Sequence, residues 1–231
     1  MDLLRNIDFP TDAIQFVVLL FSLSLHEAAH GWMADRFGDY TARSLGRVTL
    51  NPIPHIDPVG TVLFPLLQFF TRLPLIGWAK PVPVNSALLR NPRKDQIYVS
   101  LAGPASNLLA GCVAFAILIA LKLSWPESRG FITNMAVTGR IPAQESFVAP
   151  VVGILFFALI INVALALFNA LPIPPLDGHW ILYGLLPPNA ARALARWSSY
   201  GFLLLYAMML LGLFQFVFIP TIWVRYILAV L

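Results

Sequence analysis

Four apolar runs, at roughly 13–34, 97–121, 150–171 and 197–219, are each long enough to cross the hydrocarbon core of a bilayer as a helix. Lipid offers a backbone no hydrogen-bond partners, so such runs fold as helices that satisfy their own amides. Composition agrees. Of the 231 residues, 58% are hydrophobic and 11% charged, and the mean hydropathy is +0.77, outside the range of a soluble domain of this length. The expected fold class is therefore all-α, a polytopic membrane protein with four full transmembrane helices in a single membrane-embedded domain over 1–231.

The remaining sequence refines this picture. The run "PVGTVLFPLLQFF" (58–70) is shorter and carries Pro65 in its middle, so it is expected to be re-entrant or interfacial rather than spanning. "GWAKPVPVN" (77–85) alternates like extended chain and predicts a short β-hairpin over 77–86, whose edge is a candidate for binding an unwound substrate strand. Residues 122–146 read as a polar loop. Thr11 or Asp12 is expected to cap the first helix. The amino terminus carries Asp2, Asp8 and Asp12 against Arg5 and shows no clear cleavage site, so the first run is expected to stay as an anchor. The net charge of +4 does not point to nucleic acid, because the basic residues form no Lys/Arg-rich run and no nucleic-acid motif accompanies them. Cys112 is the only cysteine, which excludes intramolecular disulfides and cysteine metal ligands.

Chemistry enters with "HEAAH" (26–30) in the second half of the first apolar run. Residues four apart share a helix face, so His26 and His30 can offer two imidazole nitrogens to one zinc ion, with Glu27 beside them as the acid/base for a water that the metal activates. Ionisable groups inside an apolar span are costly, which makes a functional reading the default. A catalytic zinc takes a third protein ligand. Asp35, five residues beyond His30, is about 140° around the helix and faces elsewhere. The best candidate is Asp177 in "NALPIPPLDGHW" (169–180), where Pro172, Pro174 and Pro175 must break an apolar helix and bring an acidic residue to the membrane edge. His55 and His179 are the alternatives.

These residues resemble the site-2 protease family of intramembrane zinc metalloproteases. "HEAAH" (26–30) is similar to its HExxH motif, "NALPIPPLDG" (169–178) to its N-x-x-P-x-P-x-x-D-G, and "GPASN" (103–107) to its middle G-P-x-x-N segment. The resemblance spans nearly 26–186 and is to short members, without PDZ or CBS domains. It implies that His26, His30 and Asp177 bind one Zn2+, that Glu27 is the catalytic acid/base, and that Asn169 and Asn107 line the substrate site. It also implies a transmembrane protein or peptide as substrate, cleaved within the membrane. Nothing in the sequence sets an oligomeric state.

One ion bound by His26 and Asp177 requires their two helices to end on the same side of the membrane. They do so if 97–121 is the single crossing between them. The side reached after the first helix would then carry Arg36, Arg43, Arg47, Arg72, Lys80, Arg90, Arg93, Lys94, Arg192 and Arg196, and the other side Arg5, Lys122, Arg129, Arg140 and Arg225. The positive-inside rule makes the first side cytoplasmic, and the compact form without PDZ or CBS domains points to the cell membrane of a bacterium or archaeon. Two rival readings are a metal-ion transporter and a catalytically idle scaffold. The first expects polar groups at several depths and repeated halves, neither of which is visible, and the second expects decayed ligands, whereas all are present.

Overall fold

A computed structural model describes residues 8–71, 77–142 and 146–231; Asp2, Arg5 and Arg72 lie outside them. The described chain is all-helical, and no strand forms among the described residues. Its elements are α1 (Phe9–Arg36), α2 (Thr41–Ser44), α3 (Phe64–Thr71), α4 (Pro92–Ser124), α5 (Pro126–Thr138), α6 (Val148–Asn169), α7 (Asp177–Leu185), α8 (Pro188–Trp197), α9 (Gly201–Leu210), α10 (Phe214–Val217) and α11 (Ile219–Val230). Three of them, α1, α4 and α6, are long and apolar enough to cross a membrane.

Local sequence explains where these helices begin and end. Asp8, rather than Thr11 or Asp12, caps α1: its carboxylate accepts from the Thr11 amide at 3.3 Å and from the Thr11 hydroxyl at 2.7 Å. Asp95 accepts from the Asn91 amide at 2.7 Å and so closes the start of α4. The end of α6 at Asn169 precedes Pro172, Pro174 and Pro175, the predicted break.

Four findings extend or change these expectations. The run 197–219 is not one continuous helix: α9 covers ten residues, about 15 Å of rise, and turns separate it from α10 and α11. The run 58–70 is helical, a π-type turn at Pro58–Leu63 continuing into α3, started by Asp57 accepting from the amides of Val59 and Gly60 at 3.0 and 2.8 Å. Its rise of roughly 21 Å is short of a bilayer core. The 122–146 loop contains α5, which the sequence announces with Pro126 at its first position and Glu127 in its first turn.

The fourth change concerns the hairpin over 77–86, which does not form. Residues 77–85 form neither helix nor strand, and Pro81 and Pro83 lack the N–H that a ladder needs. The neighbouring donors are taken within the chain, Trp78 by Gly60 O at 3.3 Å and Lys80 by His55 O at 2.9 Å. The segment therefore does not present the open strand edge expected of it.

The chain clusters into two compact units, and the division runs through α1, α4 and α6. One comprises Met1–Ser22, Leu108–Ala164 and Phe218–Leu231. It buries Leu118, Ile132, Met135, Val152 and Leu228. Arg225 donates to Ala136 O and Val137 O, both at 2.9 Å, where α5 ends. Lys122 donates to Leu228 O and, at 3.4 Å, to Ala229 O, where α11 ends. Basic side chains thus satisfy the carbonyls that helix C-termini leave open. The other unit, Leu23–Asn107 with Leu165–Val217, packs Ala34, Leu89 and Val99 with Met33, Phe37 and Val84. It contains every residue of the site described next.

Candidate metal centre

The α1 periodicity sets His26 and His30 on one face, with ring centroids 4.6 Å apart and planes nearly perpendicular. The Nδ1 of His30 lies 2.7 Å from the carbonyl oxygen of Val99. A carbonyl only accepts, so His30 Nδ1 carries the proton, and in the neutral ring Nε2 presents a lone pair. The Nδ1 of His26 lies 2.6 Å from Asn107 Oδ1, a pairing that leaves Nε2 in the same condition. The two Nε2 atoms face each other at 3.0 Å.

Asp177, the first residue of α7, completes the set. Its Oδ2 is 3.0 Å from His26 Nε2 and 3.3 Å from His30 Nε2, and this buried oxygen has no hydrogen-bond partner. Gly178 makes that placement possible: a Cβ there would lie 2.3 Å from Ala170 O and 2.4 Å from Leu171 O, so only glycine lets the first turn of α7 tuck against the end of α6. Gly103 does the same for α4, where a Cβ would lie 2.4 Å from His30 Nε2 and 2.6 Å from His26 Cε1.

Three electron-rich atoms of one carboxylate and two imidazoles within 4.8 Å of one another repel unless a cation lies among them. Tetrahedral zinc with bonds near 2.1 Å separates its ligand atoms by about 3.4 Å, close to the 3.0 and 3.3 Å found here. The hydrogen bonds behind both histidines are the kind that fix tautomer and ring orientation in metal sites. The donor set therefore fits a divalent cation of the zinc type.

The other predicted residues fall as follows. Glu27 is half-buried beside the cluster, and its Oε2 accepts from the Val82 amide at 2.7 Å. Asn107 is fully buried, with its Oδ1 against His26 Nδ1. Asn169 donates to Leu165 O at 3.0 Å within its own helix. Neither alternative histidine joins the cluster: His55 pairs with Thr49 O at 3.0 Å, and His179 with the Ser198 hydroxyl at 3.1 Å. Burial holds the His179 imidazole below its usual pKa range, consistent with a neutral packing role. Asp35 accepts from Arg43 at 2.7 Å. Sequence reasoning missed Val99 and Val82, because both act through main-chain atoms that every residue type offers.

A family model for Peptidase family M50 matches residues 14–212, most of the chain. The chain belongs to Peptidase family M50. Relatives in this family carry the name "Putative zinc metalloprotease". YwhC of Bacillus subtilis is 34% identical over 223 residues, covering 94% of this chain and 90% of its own. Rip2 of Mycolicibacterium smegmatis is 34% identical over 191 residues, covering 83% of this chain and 64% of its own. Rip2 of Mycobacterium tuberculosis is 32% identical over 192 residues, with the same two shares. No solved structure gives a significant match. The M50 match includes α1 with its HExxH and the start of α7 with Asp177, so family and cluster coincide in the chain. The M50 assignment also accords with the three apolar helices, and the chain is a membrane metalloendopeptidase.

Proposed function

We propose that this membrane zinc metalloendopeptidase cleaves transmembrane segments of other membrane proteins, within the bilayer, in regulated intramembrane proteolysis. The observation that carries the reading is the convergence of His26 Nε2, His30 Nε2 and Asp177 Oδ2 next to Glu27, in the second half of an apolar helix. A soluble substrate gives no reason to place such a set there. A transmembrane one does, because its amides must leave their helix before a carbonyl can be attacked.

Zinc, when bound, supplies Lewis-acid polarisation and a water acidic enough to lose its proton near pH 7. His26 and His30 bind it through neutral Nε2 atoms, and Asp177 offsets part of its charge. Asn107 and the Val99 carbonyl keep both rings in the tautomer that exposes Nε2. Glu27, an acceptor when ionised, takes the proton from water and returns it to the amine that leaves the scissile bond. Asn169 lines the path of the unwound substrate, where its amide can pair with a freed backbone group.

The finer topology belongs to the same proposal. Residues 1–231 act as one membrane-embedded domain. The helices α1, α4 and α6 cross, the 58–70 run re-enters, and the run 197–219 makes the fourth crossing. Excess Lys and Arg on the side reached by α1 place the site towards the cytoplasm of a bacterial or archaeal cell membrane. The test is cleavage of single-span transmembrane peptides by purified protein in detergent, wild type beside Glu27→Gln, with zinc content measured on both. Loss of cleavage at unchanged zinc is expected. Equal cleavage by both proteins would overturn the role of Glu27, and absence of zinc from both would overturn the site.

A further inference from the structure

We infer that Arg47 is a positioning residue for Glu27, acting through the peptide group that joins Pro81 to Val82. This rests on the role of Glu27 proposed above. The segment reads Lys80-Pro81-Val82-Pro83. Prolines on both sides leave the Val82 N–H as the one backbone donor from 81 to 83, and it donates to Glu27 Oε2 at 2.7 Å. The buried guanidinium of Arg47 donates through Nη2 to Lys80 O at 2.7 Å and to Pro81 O at 3.3 Å.

Pro81 O and the Val82 N–H are the two ends of one amide. A cation drawing on the oxygen polarises the N–H, and the carboxylate at the far end strengthens the pull, so Arg47 and Glu27 are joined as an ion pair relayed through a peptide. The amide is held from other sides too. Lys80 N donates to His55 O at 2.9 Å and Asn85 N to Asp39 Oδ2 at 2.6 Å. The buried Val82 side chain lies against Gly31, directly after His30 on α1. The consequence is a carboxylate with Oε2 fixed and Oε1 left to carry protons. Freed from this restraint, Glu27 regains rotamers, and misplacement by an ångström is costly for a group that must meet both water and leaving nitrogen. Both bonds leave one nitrogen, Nη2, so a lysine ammonium reproduces them only as far as its shorter stem carries it to the two carbonyls.

The test uses the full chain in detergent. In metal-free protein, hydrogen exchange at the Val82 amide is expected to quicken at least tenfold in Arg47→Ala and in Glu27→Ala. In zinc-loaded protein, Arg47→Ala and Val82→Pro are expected to lower kcat by about 10- to 100-fold, with KM and zinc content within about twofold. Arg47→Lys should recover part of the loss, and Val82→Ala, which keeps the N–H but gives up part of the contact with Gly31, should lose less than Val82→Pro. Unchanged exchange, a loss confined to KM, or a loss that tracks zinc would make Arg47 a scaffold residue and overturn the inference. Wild-type kcat in Arg47→Ala and Val82→Pro, with Glu27→Gln inactive, would overturn it while leaving the Glu27 role intact. Wild-type turnover by Glu27→Gln would overturn both.

Discussion

In the unit of Met1–Ser22, Leu108–Ala164 and Phe218–Leu231, buried polar side chains each end on a group of opposite character. Lys122 meets the carbonyls of Leu228 and Ala229, and Asn162 donates to the Ser22 hydroxyl and to Ala158 O, both at 2.8 Å. In the other unit, His26, His30 and Asp177 turn three acceptor atoms on one another, and Asp177 Oδ2 has no hydrogen-bond partner. Both arrangements bury polarity among apolar helices. Donor against acceptor, though, lowers the cost of burial and finishes a helix, whereas like against like keeps a cost that a bound cation removes. The difference separates a structural polar contact from a binding site without reference to any motif.

The comparison can be broken at several points. The largest effect is expected from Asp177→Asn, which removes the one anionic ligand. Zinc measured by metal analysis should be lost and cleavage should fall by at least about a thousandfold, as leaving two neutral imidazoles is insufficient for a catalytic site. Retention of stoichiometric zinc would show that the convergence is not a metal site. Next is Gly103→Ala, which adds a methyl 2.4 Å from His30 Nε2. Chelator competition should report zinc bound about 10- to 100-fold more weakly, and unchanged affinity would mean that α4 yields freely.

The donor–acceptor side of the comparison is tested by Lys122→Met. It leaves the end of α11 without its cation and should lower stability by about 2 kcal/mol, read as a lower Tm in detergent, with zinc affinity unchanged. A coupled loss of zinc would deny the separation drawn here. The smallest effect is expected for His179→Asn, which gives up the contact to Ser198 for about 1 kcal/mol and leaves zinc stoichiometry as it was. Loss of metal in that variant would return His179 to the ligand set.

Much of the site was legible because its chemistry needs particular side chains at particular spacings. Two histidines four apart on an apolar helix share a face whatever surrounds them, and three prolines before Asp177 must end a helix. Those facts are local, and the structure brings His26, His30 and Asp177 together as they require. Length and apolarity likewise set the helical class and located α1, α4 and α6.

What periodicity and composition misjudged depended on partners distant in sequence. The run 197–219 is apolar enough to span, yet chain turns divide it, and hydropathy does not register turns. The 77–85 segment has a strand's alternation, but its donors find His55, Gly60 and Glu27 in place of a second strand. By itself, then, the sequence determined the helical membrane class and singled out His26, His30 and Asp177 as the candidate metal ligands, because length, apolarity and side-chain type act locally. Only the tertiary structure decided which main-chain atoms orient those ligands, since a carbonyl such as Val99 O or an amide such as Val82 N is present in every residue and gains a role through position alone.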